Sequence, residues 1–159
     1  MISISRIESN LFVGSHPQNA VDLDRLRGQL RVTAILNLQT DEDLRRLDLK
    51  WETLERACHE RDLIVRRSPI TEFDEQALLA RIEDAVDDLQ DLLKAGHRVY
   101  LHCNAGMERA PSVAIAYLAW RADWLLEDAW RHVTAQRACN PRIELLRRLD
   151  ARRAAGART

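Results

Sequence analysis

Cysteine is scarce in this chain, and what there is does not pair. Cys58, Cys103 and Cys139 are odd in number and widely spaced, with no Cys-x-x-Cys among them, which excludes a disulfide framework. No His/Cys cluster has zinc-ligand spacing, so no metal is expected, and no cofactor. Long apolar runs are also missing. The longest, Val113 to Trp120, is far short of the roughly 20 residues of a membrane helix. The opening Met1-Ile2-Ser3-Ile4-Ser5-Arg6 lacks the basic region and apolar stretch of a secretory signal. A cytoplasmic location without membrane contact is the expectation. Charge of one sign is absent too. Lys50 and Lys94 are the only lysines among 24 basic residues, yet the net charge is -1. A nucleic-acid partner, which normally calls for a basic excess, is therefore not expected.

What remains is a chain of 159 residues with 46% hydrophobic content, enough for one domain with a core. The expected domain covers residues 1–153, with 154–159 as a loose tail and a monomer as the expected state. Short β-rich runs alternate with helical patterns. Leu11–Gly14, Val32–Leu38, Leu63–Arg66 and Val99–His102 read as strands. Asn19–Leu30, Trp51–Arg61, Ala110–Arg121, Leu125–Arg137 and a last segment from Asn140-Pro141 to about Arg153 read as helices. Glu75–Ala95 carries Leu78, Leu79, Ile82, Val86, Leu89, Leu92 and Leu93 at three- and four-residue spacing, an amphipathic helix. The fold class is α/β: a single domain with a central, mainly parallel sheet flanked by helices. The charged stretch Asp41–Arg46 reads as a solvated loop and helix start, and Arg66-Arg67 as solvated or as a guide for an anionic substrate.

Chemistry concentrates between Val99 and Ser112. A buried strand ends at His102, Cys103 follows at its carboxyl end, and a loop containing Gly106 leads to Arg109 and a long apolar helix. Ligands favour that edge of an α/β sheet, and a helix N-terminus offers free amides to an anion. Successive amides of Asn104, Ala105, Gly106, Met107, Glu108 and Arg109 can cradle one oxyanion, with Gly106 supplying the backbone freedom. The planar Arg109 fork can hold two phosphate oxygens. The same positive surroundings favour the Cys103 thiolate.

The run His102-Cys103-Asn104-Ala105-Gly106-Met107-Glu108-Arg109 resembles the HCxxGxxR signature of the protein tyrosine phosphatase superfamily. The short chain fits its dual-specificity branch. Within that branch the likeness is closest to the glucan phosphatases, the laforin and plant starch-phosphatase group. It is carried by Val13-Gly14-Ser15-His16-Pro17-Gln18, Asn37-Leu38-Gln39, Glu72-Phe73-Asp74, the loop with Ala110-Pro111, and Arg137-Ala138-Cys139-Asn140-Pro141. The resemblance implies Cys103 as nucleophile, a phosphocysteine intermediate, Arg109 as phosphate ligand, and a carboxylic acid on a separate loop. Glu72 and Asp74 are both candidates for that acid; aligning the following helix places Glu72 where the family carries aspartate. His102 is expected to orient the loop, Ser112 to offer a hydroxyl, and Phe73 to line the cleft. Glu108 stands where the glucan group carries glycine, and is expected to point away from the cradle and pair with an arginine.

Cys58 and Cys139 read as ordinary half-buried thiols, or as partners of Cys103 in a reversible disulfide. The expected substrate is a phosphorylated protein, with phosphorylated glucan as the leading alternative. Where plant members carry a Tyr-Trp pair this chain has Arg46-Leu47, which argues against glucan. An inactive phosphate-binding module and other thiol chemistry, such as sulfur transfer or arsenate reduction, are the remaining classes.

Overall fold

A computed structural model describes residues 2–157. Five strands form one sheet: β1 (Ile4–Glu8), β2 (Leu11–Gly14), β3 (Ala34–Asn37), β4 (Ile64–Arg67) and β5 (Val99–His102). Their order is β1-β2-β5-β3-β4. All neighbours run parallel except β1, which pairs antiparallel with β2 through an irregular register between Arg6 and Glu8. This matches the α/β expectation with a mainly parallel sheet. The edge strand β1 is not evident from sequence, because only Ile7 of its residues is buried.

Alternate strand residues serve two cores, as the period of two requires. Leu11, Val13, Leu36, Val99 and Leu101 face one layer of helices, while Phe12, Ile35 and Tyr100 face the other. The second layer is thin. It comprises α1 (Ala20–Asp24), continued by a π-helical turn Arg25–Gln29, and α3 (Trp51–His59). The thicker layer holds α4 (Glu75–Lys94), α5 (Arg109–Arg121), α6 (Leu126–Gln136) and α7 (Ile143–Ala157). In α4 the stripe Leu78, Ile82, Val86 and Leu89 is fully buried, each side chain worth about 1.5–3 kcal/mol. α5 buries nearly all of its first ten residues, as a helix apolar all round must. α7 continues to Ala157, so the loose tail expected from Ala154 is corrected for residues 154–157. The alanine-rich run is a good helix former. The last two residues of that tail lie outside the described residues.

The parallel strands end level. Gly14 and Asn37 both align with His102, and Asn37 with Arg67. The loops that follow β2, β3, β4 and β5 therefore meet at one edge. Among the described residues, no helix is long and apolar enough to cross a membrane.

Candidate active site

Cys103 is the first residue past β5 and is 3% exposed. From Cys103 to Glu108 every loop carbonyl is tied to a donor behind it. The Cys103 carbonyl accepts from His102 Nδ1 at 2.9 Å, and that of Asn104 from the His16 amide at 2.9 Å. Arg137 Nη2 donates to the Ala105 carbonyl at 3.1 Å and its Nε to the Gly106 carbonyl at 2.7 Å. The Asn140 amide donates to Met107 at 2.7 Å, and Ser112 Oγ to Glu108 at 2.7 Å. In a trans peptide the carbonyl of one residue opposes the amide of the next. Six carbonyls held outward thus turn the amides of residues 104–109 inward, a nest for an anion at the N-terminus of α5.

Gly106 cannot be anything else. Its φ is +69°, and a Cβ there would stand 2.5 Å from the Gly14 backbone and 2.7 Å from Arg137 Nη2. Arg137, 6% exposed, is a site residue that the sequence did not expose. It lies in a recognisable stretch, but nothing in that stretch indicates that its guanidinium reaches back to the loop, where it also meets the hydroxyls of Ser3 and Ser5.

Arg109 is 2% exposed. Its Nη1 donates to Asp43 Oδ2 and to the Ile70 carbonyl, each at 2.7 Å. Nη2 reaches Glu72 Oε2 at 3.0 Å. Three bonds thereby fix the guanidinium in place at the start of α5. Asp43 belongs to the short helix α2 (Asp41–Arg46), where it forms a reciprocal capping box with Thr40. Reading Asp41–Arg46 as solvated is corrected at this residue. Asp43 is 3% exposed, because the cap turns its carboxylate inward onto the arginine. Burial works against the Asp43 carboxylate. Hydrogen bonds from Arg109 and the Thr40 amide, the charge of Arg109 and a bond from Asn104 outweigh it, and its pKa lies below the ordinary value.

Asn104 connects these groups. Its Nδ2 donates to Asp43 Oδ1 and Glu72 Oε2, both at 3.0 Å, and its Oδ1 accepts from Gln39 Nε2 at 2.9 Å. Gln39 is in turn held by Asn37. The Gln39 carbonyl accepts from Arg67 Nη2 at 2.9 Å, and Arg67 stacks over Trp51, so Arg67 is a packed residue and not a solvated one. His102 is fully buried beneath the loop. Burial pushes its pKa down to about 4. It is therefore a neutral imidazole whose Nδ1 carries the hydrogen given to Cys103, in keeping with an orienting role.

The two acid candidates separate in space. Asp74 is the N-cap of α4, its Oδ1 accepting the Ala77 amide at 3.0 Å. Glu72 instead turns its carboxylate to Arg109 and Asn104. Phe73 between them has φ +53° and is 73% exposed. With Met107, Asn140 and Pro141 it lines a cleft of about 600 Å³ beside the loop. Glu108 does point away from the cradle. Its Oε2 pairs with Arg142 Nε at 3.0 Å, and its Oε1 accepts the Phe73 amide at 2.9 Å. The Ser112 hydroxyl is engaged between the Glu108 carbonyl and the Arg142 amide, so it braces the loop's end and is not directed at the cysteine.

Cys58 is buried on the other side of the sheet from Cys103, and burial raises its pKa to about 11. That removes it as a reactive partner. Cys139 is half-buried, and burial raises its pKa too.

Residues 11–153 match the family described as dual specificity phosphatase, catalytic domain. The chain is 32% identical over 137 residues to phosphoglucan phosphatase LSF1, chloroplastic, of Arabidopsis thaliana, covering 86% of this chain and 23% of that one. It is 28% identical over 143 residues to laforin of Mus musculus, covering 84% and 43%. It thus spans less than half the length of these curated relatives. The crystal structure of PTPMT1 superposes with a TM-score of 0.76 at 20% identity, covering 99% of this chain and 100% of that one; that likeness speaks to the fold.

Proposed function

The chain belongs to the dual specificity phosphatase catalytic family, and on that premise we propose that it hydrolyses phosphomonoesters through a phosphocysteine on Cys103. The observation that carries this reading is the loop from 103 to 109. Its carbonyls are all tied outward and its amides turned in, with Arg109 fixed alongside by Asp43. Such a site favours the three equatorial oxygens of a transferring phosphoryl group over anything neutral.

In the first half-reaction the Cys103 sulfur forms a bond to phosphorus as the bond to the leaving oxygen breaks. Glu72 passes its proton to that oxygen. In the second, water attacks phosphorus, its proton goes to the Glu72 carboxylate, and the sulfur leaves as thiolate. Glu72 is preferred to Asp74 because its carboxylate already lies at the Arg109 fork, whereas that of Asp74 is spent on the helix cap.

For the substrate we favour a phosphorylated glucan, with phosphorylated protein as the second reading. The glucan reading is supported by likeness to two proteins named as phosphoglucan phosphatase and laforin. A cleft edged by the exposed Phe73 ring also suits a sugar face. The second reading is supported by likeness over a shorter stretch to dual specificity protein phosphatase 5 of Rattus norvegicus. Phosphate release is measured for wild type and Cys103→Ser on para-nitrophenyl phosphate, phosphorylated amylopectin and a phosphotyrosine peptide. Release by wild type alone, fastest on amylopectin among the natural esters, is expected. Release that survives Cys103→Ser refutes the thiol mechanism, and peptide preferred to amylopectin refutes the glucan reading.

A further inference from the structure

We propose that Glu108 is a positioning residue for the general acid, a latch between the phosphate loop and the acid loop. The inference rests on Glu72 being that acid. The side chain of Glu108 is anomalous for its place. It carries a negative charge in the last position before Arg109, in a loop built to attract anions. Its side chain is nevertheless only 13% exposed, and each carboxylate oxygen accepts a hydrogen bond. Oε1 takes the backbone amide of Phe73 at 2.9 Å, and Oε2 takes Arg142 Nε at 3.0 Å.

The amide it holds belongs to the peptide joining Glu72 to Phe73, so the bond fixes the main chain at the acid itself. That segment needs holding. Phe73 sits at φ +53°, a left-handed region that a bulky residue adopts only when its surroundings hold it there. Its ring is largely exposed and contributes little packing to that hold. The chain is pinned just beyond it by the Asp74 cap on α4. With the cap on one side and Glu108 on the other, the main chain is held where Glu72 presents its carboxylate to Arg109 and Asn104. Arg142 in turn orients Glu108. Its main-chain amide binds the Ser112 hydroxyl, which itself donates to the Glu108 carbonyl. The latch is therefore anchored to the first turn of α5, the same turn that carries Arg109.

A positioning role shows in dependence on the leaving group, which a general loss of structure would not alter. Turnover of phenyl phosphate, a poor leaving group, is compared with that of dinitrophenyl phosphate, which needs no acid. Glu108→Ala is expected to lose on the order of tenfold more on the first than on the second, the weight of one hydrogen bond to a charged group. Glu108→Gln, which keeps an oxygen for the Phe73 amide and folds in the same space, is expected to recover most of that ratio. In a Glu72→Gln background, Glu108→Ala should not widen the ratio further. Equal losses on both esters overturn the latch. So does Glu108→Gln no better than Glu108→Ala, or an undiminished Glu108 effect without Glu72. If Glu72→Gln itself shows no leaving-group dependence, the acid assignment fails, and the latch with it. If Glu72→Gln shows that dependence and Glu108→Ala does not, only the latch fails.

Discussion

Replacing Asp43 with asparagine keeps the shape of the side chain and removes the charge that faces Arg109. Both members of the pair are almost fully buried, and their contact is 2.7 Å. The Asp43 carboxylate takes hydrogen bonds from Arg109, Asn104 and the Thr40 amide, and an asparagine must turn an NH2 toward one of these donors. Removing one partner of a buried ion pair costs about 3–5 kcal/mol. Arg109 retains Glu72 and the Ile70 carbonyl, so the lower end applies, about 3 kcal/mol. For a domain of this size that is a fall in Tm of about 6–12 °C. A fork misplaced by an ångström costs about 100-fold in turnover, so kcat/KM is expected to fall by that order. Asp43 also has a pKa lowered from 3.8 in the folded state. Its contribution is fully present above that value and drains away as pH falls through the lower, folded one. Asp43→Asn should therefore flatten the acid limb of the stability profile as well. Asp41→Asn, on the same helix but 76% exposed in its side chain, serves as the control and should stay within about 0.5 kcal/mol. Differential scanning calorimetry with steady-state kinetics reads both. An Asp43→Asn protein with wild-type Tm and kcat/KM would refute the claim that Asp43 sets the Arg109 fork.

Gly106→Ala, with φ +69° and the Gly14 backbone 2.5 Å from the new Cβ, is expected to abolish tungstate binding by isothermal titration; binding within tenfold of wild type would contradict the cradle. Arg137→Ala leaves the Ala105 and Gly106 carbonyls without their donor, and should cost about 2 kcal/mol in urea unfolding while weakening tungstate binding. His102 is held neutral, its pKa pushed from 6.5 to about 4 by burial. The unfolded chain takes up that proton first, so stability from this group is full above pH 6.5 and is lost as pH falls through about 4. His102→Gln should flatten the unfolding free energy across that window, and an unchanged slope would count against a buried neutral imidazole.

The parts of the fold that read clearly were those whose local pattern decides their structure. The apolar run Val99–His102, the stripe of α4 and the Cys103–Arg109 spacing each carry their own signal, and the structure places them as expected. β1 was not legible because an edge strand with one buried side chain has little pattern to show. Asp43 was hidden for a different reason. Thr40 and Asp43 stand at capping-box spacing, a local signal for the helix start, but the partner of Asp43 is 66 residues away. Arg137 is the same case, with its loop partners 31 and 32 residues upstream. Glu108 was legible as to direction, since a carboxylate facing the cradle would repel substrate. Its bond to the Phe73 amide depends on how two loops from different strands meet, which no single stretch encodes. Between Glu72 and Asp74 the sequence left a choice, and the cap on α4 separates them in space.

The most direct test of the account is to trap the covalent intermediate. Wild type is mixed with excess dinitrophenyl phosphate, quenched within milliseconds and digested for peptide mass spectrometry, with phosphate release followed in parallel. The account predicts a burst of dinitrophenol and one phosphoryl group on the peptide containing Cys103, absent from Cys103→Ser. Steady release without a burst, with the Cys103 peptide unmodified at every quench time, would contradict it.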